Sequence, residues 1–65
     1  GSTKALRTLD EALADEEWTV RSHAAMAMGA IGPDRSGRRS LERLAEGDPH
    51  PLVVAAAEEA LASDG

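Results

Sequence analysis

Apolar side chains recur along this chain at helical intervals. Leu6, Leu9 and Leu13 stand at i, i+3 and i+7, with Ala5 and Ala12 beside them. That spacing predicts a helix over 3–14, its start capped by Ser2 or Thr3. Val20, Ala24, Ala27, Met28 and Ile31 follow at i, i+4, i+7, i+8 and i+11 and predict a second helix over 17–31 with those residues as its core stripe. Leu41, Leu44 and Ala45 are the thin apolar face of a third helix, over 34–46. Val53, Ala57, Ala60 and Leu61 mark a fourth, over 51–62. No stretch alternates with the period of a strand, so the fold class is all-α.

The breaks between these segments carry their own chemistry. Asp15-Glu16-Glu17 places carboxylates where the second helix begins, at its positive end. Gly32-Pro33-Asp34 closes that helix and opens the next. Gly47-Asp48-Pro49-His50-Pro51 is the clearest turn in the chain. Four short helices on short loops form one small domain over 3–65, and Gly1-Ser2 reads as a cloning remnant.

Composition narrows the picture. Hydrophobic residues make up 42% of 65, but nearly half of them are alanine. Alanine buries little area, so the core must rely on close backbone approach. A formal charge of −5 argues against a general nucleic-acid or anionic-membrane surface. No apolar run approaches the roughly 20 residues of a membrane span. The absence of cysteine fits a reducing, cytoplasmic setting.

The chain also echoes itself. Displaced by 33 positions, Val20 falls on Val53, Ala24 on Ala57, Ala27 on Ala60, Met28 on Leu61 and Trp18 on Pro51. The first helix maps onto the third at a shift of 31, Leu13-Ala14 on Leu44-Ala45. The domain is therefore read as two tandem helical hairpins, repeat one over 3–32 and repeat two over 33–63. Trp18, the only aromatic residue, is expected to plug the bend of its own hairpin.

The stretch LADEEWTVRSHAAMAMGAIG resembles a HEAT-like repeat of the phycocyanobilin-lyase type, and LAEGDPHPLVVAAAEEALA is similar to a second, more degenerate unit. The resemblance implies a short right-handed α-solenoid whose second helices line a concave surface. It also implies that the Arg after Val reaches a loop Asp of the next unit, which makes Arg21 with Asp48 the candidate rung between repeats. Val54 stands at the position equivalent to Arg21 and cannot continue such a ladder. Gly37 and Ser40 stand where the family carries large apolar residues, which marks the third helix as the weakest.

Candidate chemistry is sparse. His23 precedes Ala24 and His50 precedes Pro51, unlike the His-Glu dipeptides of di-iron HEAT-repeat hydroxylases, so no metal site is expected. Neither a Ser-His-acid constellation nor a cofactor motif is present, and the chain reads as non-catalytic. Glu16-Glu17 and Glu58-Glu59 are adjacent on helices and diverge by about 100°. Arg35, Arg39 and Arg43 form an i, i+4, i+8 stripe on the third helix, a solvated face first and a phosphate or acidic-partner site second. Ser22, His23 and Met26 fall off the predicted core stripe, with Leu52, Ala55 and Glu59 at matching places on the fourth helix. These six are the candidate partner-binding residues.

The favoured function is a protein–protein interaction scaffold, a minimal HEAT array or a fragment of one, with self-association through exposed repeat ends as a further expectation. The resemblance implies an alternative, an accessory subunit or lyase-related protein handling a bilin-type chromophore.

Overall fold

The computed structural model describes residues 2–62, with side chains from residue 4 onward. Its helices are α1 (Ser2–Ala12), α2 (Trp18–Ile31), α3 (Arg35–Gly47) and α4 (Pro51–Ala62), and no strand occurs among the described residues. The caps expected from Ser2 and Thr3, and the repeat boundary at residue 63, lie outside what is described. Helix α1 packs on α2, α3 on α4, and the two hairpins meet mainly along α2 and α4.

Each boundary has a local cause. Helix α1 stops two residues short of the predicted end because the Ala14 and Asp15 N–H groups bond to Glu11 and Ala12 oxygens, tightening the last turn. Gly32 closes α2 with φ at +99°, its N–H donating to the Met28 oxygen at 2.9 Å. Asp34 then caps α3, its carboxylate accepting the Gly37 N–H at 2.8 Å. At the head of α4 the Leu52 N–H donates to His50 Nδ1 at 3.1 Å, and Pro51 occupies the first turn, where it gives up no hydrogen bond.

The core is small side chains around three larger ones. Met28, Leu41 and Val53 are fully enclosed, with Leu13, Ala24, Ala25, Ala56, Ala57 and Ala60 around them. Leu6, Leu9, Ala12, Leu44, Ala45 and Leu61 close its edges. Gly37 is part of this packing. A Cβ there would sit 2.7 Å from Met28 Sδ and 3.1 Å from Asp34 Oδ1, so the missing side chain leaves room for Met28 in the core.

Helix α2 departs from the predicted stripe. Its buried residues are Ser22, Ala24, Ala25 and Met28, whereas Val20, Ala27 and Ile31 are exposed. The cause is the direction from which α4 arrives. It covers the side of α2 carrying serine and alanine, a side that hydrophobicity alone does not single out. Ala5 is likewise exposed rather than filling beside the leucines of α1.

Trp18 also differs from expectation. It does not plug its own bend. It remains 36% exposed, and its ring stacks on His50 of the other hairpin, with centroids 3.9 Å apart and planes within 11°.

Candidate functional site

Two polar links fasten the hairpins, one at each end of the loops and helices they join. The first is built on Arg21. Its Nε donates to Asp48 Oδ2 at 2.7 Å and its Nη2 to Asp48 Oδ1 at 3.2 Å, a two-pronged ion pair across the repeats. Its Nη1 donates to the backbone oxygens of Asp15 at 2.7 Å and Glu16 at 3.0 Å. One guanidinium thus holds the first loop and the third loop together, which a planar fork of donors can do and a point charge cannot.

The pair is largely sealed, with side-chain exposures of 13% for Arg21 and 3% for Asp48. Burial by itself pushes the Asp48 carboxyl up. The Arg21 hydrogen bonds, the His50 backbone N–H and the positive charge of Arg21 outweigh it and hold the carboxyl below its ordinary value. Asp48 Oδ1 accepts that His50 N–H at 2.9 Å, so the same aspartate shapes the turn into α4.

The second link joins α1 to α3. Asp10 accepts Ser36 Oγ at 2.9 Å and Ser40 Oγ at 2.6 Å, one hydroxyl on each carboxylate oxygen. Sequence periodicity gave no sign of it. Ser40, a departure from the family's apolar pattern, is accounted for by this partner.

Between α2 and α4 runs an open groove of about 270 Å³, lined by Trp18, His23, Met26, Leu52, Ala55 and Glu59, with Ser22 and Ala56 at its floor. It continues into a second depression of about 250 Å³ that shares Met26, Ala56 and Glu59. The groove therefore brings the six candidate partner-binding residues onto one surface. Met26 and Leu52 are its exposed apolar members, at 61% and 56%. Ser22 is corrected from candidate contact to packing residue: only 8% exposed, it gives its hydroxyl to the Thr19 oxygen at 3.1 Å. The cause is again the approach of α4, which covers that side of α2. Trp18, placed in the bend by sequence reasoning, instead forms part of the groove.

On the α1–α3 side, Arg35, Arg39 and Arg43 line a shallow basin of about 450 Å³ with Ser36, Ser40 and Asp10. The Asp10 carboxylate sits within it. Among the described residues, no group of three or more His, Asp or Glu side chains is placed to hold a metal ion, and no helix is long and apolar enough to cross a membrane.

Paired helices stacked hairpin on hairpin, tied through their loops and presenting a groove along their second helices, define a helical-repeat protein. The sequence pattern of HEAT repeats matches residues 1–62, and the chain belongs to that family. HEAT repeats generally mediate contacts between proteins. No curated protein and no solved structure matches the chain.

Proposed function

We propose that this chain is a non-catalytic interaction module that receives a protein partner along the α2–α4 groove, in a cytoplasmic setting. One observation carries the reading: Met26 and Leu52, on separate repeats, stand exposed on one continuous surface. Large apolar side chains gathered this way on a small acidic domain are the usual mark of a contact site. Glu59 at the same surface favours a partner with a basic residue beside its apolar anchor.

The test is a pull-down from the parent cell extract with the intact domain, repeated with Met26→Glu and Leu52→Glu. Each truncated apolar contact of this kind costs about 1–2 kcal/mol of binding, roughly tenfold in affinity. Loss of the same captured protein with both variants, and its retention with Arg39→Glu, supports the reading. Retention with the groove variants contradicts it.

Two narrower readings have their own observations. The three arginines of the α3 basin favour a phosphate or acidic ligand there, and such binding would weaken steeply with salt. The resemblance to phycocyanobilin-lyase repeats favours a role beside a bilin chromophore, which titration with free bilin and its absorbance reads directly. The groove is open and shallow for such a ligand, and the protein-partner reading is preferred.

A further inference from the structure

The outer face of α2 repeats a pattern that the structure buries elsewhere. Val53, Ala57 and Ala60 are 0%, 0% and 4% exposed. Their counterparts 33 positions earlier are Val20, Ala24 and Ala27, and Ile31 extends the same line by one more turn. There Val20 is 37% and Ile31 46% exposed, Ala27 is exposed, and only Ala24 is covered. The same residues at the same spacing are core in one repeat and surface in the other. What differs is the neighbour. In repeat two this face lies on a helix packed against both α2 and α3, whereas on α2 the packing of α1 and α4 leaves it open.

A second copy of the chain is one source of a cover for it, and the two ends of the molecule decide how that copy docks. Head-to-tail stacking would place the outer face of α4 over α2. In repeat one the face that receives α4 carries Ser22 and the fully buried Ala25. The matching positions on α4 are Ala55 and Glu58, both exposed, and Val54 stands where Arg21 would make the rung. Stacking there buries an unpaired carboxylate and forms no ion pair, which is costly. The far end of repeat two is therefore a poor seat for the α2 face of a second copy.

The α2 stripe fits itself. Read in either direction, Val20, Ala24, Ala27 and Ile31 run large, small, small, large, and none is charged. An antiparallel mate sets the exposed Ala27 of each copy nearest the crossing, with the covered Ala24 beside it. Val20 of each copy then lies beside Ile31 of the other. We propose that two copies of this chain dimerise face to face through α2 about a two-fold axis, using a different face from the partner groove. A two-fold contact closes on itself and ends at the dimer, whereas a head-to-tail contact does not.

Sedimentation equilibrium over a concentration series tests this, with circular dichroism as the check on folding. The chain is expected to pass from monomer to dimer and no further. Val20→Lys and Ile31→Glu, both at exposed positions, are each expected to keep the helical signal and to weaken self-association about tenfold or more. An equal mixture of the two variants is expected to regain dimer, because the new ammonium of one meets the new carboxylate of the other across the antiparallel contact. A chain that stays monomeric throughout overturns the proposal, and so does a dimer that survives Val20→Lys. Growth beyond the dimer that Glu58→Lys alters, or a mixture no more dimeric than its components, overturns it equally.

Discussion

Arg21→Ala is expected to lower the stability of the domain by about 2–3 kcal/mol, below the figure for a deeply buried pair because Arg21 keeps some contact with water. The loss has two sources. Asp48 keeps its carboxylate in a site that is 3% exposed, now answered only by the His50 N–H. The Asp15 and Glu16 oxygens lose the donor that fixed the first loop. Arg21→Lys is expected to recover less than half, since one ammonium cannot serve the carboxylate and both carbonyls. Urea denaturation followed by circular dichroism checks both variants. The same link sets an acid dependence. The folded Asp48 carboxyl is held below its ordinary value, near pH 4 for an unfolded chain, so its contribution is complete above that pH. It is lost as pH falls through the lower folded value. In Arg21→Ala that part of the acid sensitivity is expected to shrink.

Leu41→Ala is expected to cost about 3 kcal/mol, from lost transfer energy and the cavity left behind. Helix α3 has few apolar residues, and Leu41 is its only large side chain that is fully enclosed. It belongs to a core in which five of the other buried residues are alanines, short side chains with little reach to fill the gap. Leu44→Ala, at a half-buried position, is expected to cost about half as much. A chain of 65 residues has a small total stability, so Leu41→Ala leaves much of the population unfolded at room temperature. Thermal melts with a stabilising osmolyte keep the comparison within range.

The four helices were legible because turn chemistry and apolar period agree at each break. Gly32-Pro33-Asp34 and Pro49-His50-Pro51 leave little choice of boundary. The side of α2 that meets α4 was not legible. Alanine surrounds much of that helix, so the hydrophobic signal followed Val20 and Ile31, its largest apolar pair on one line. Those two face away from α4, and Ser22, carrying almost no signal, went inside. Arg21 and Asp48 lie 27 positions apart, and local periodicity says nothing of their meeting. Their pairing was expected only from the resemblance to HEAT repeats, in which this Arg reaches a loop Asp of the next unit. The Trp18–His50 stack and the Asp10 links to Ser36 and Ser40 also cross the repeats, beyond the reach of any helical window. The groove was legible in outline because Met26, Leu52 and Glu59 occupy matching places on the two second helices.

The two hairpins are expected to open as one cooperative stack, joined along α2 and α4 and tied by Arg21. Native-state hydrogen exchange measures this most directly, through the amides of Ala25 and Met28 in α2 and of Ala56 and Ala57 in α4. Both groups are expected to open with the same free energy, and Arg21→Ala is expected to lower both by the same amount. Exchange in α4 that is faster than in α2, and indifferent to Arg21→Ala, would contradict it.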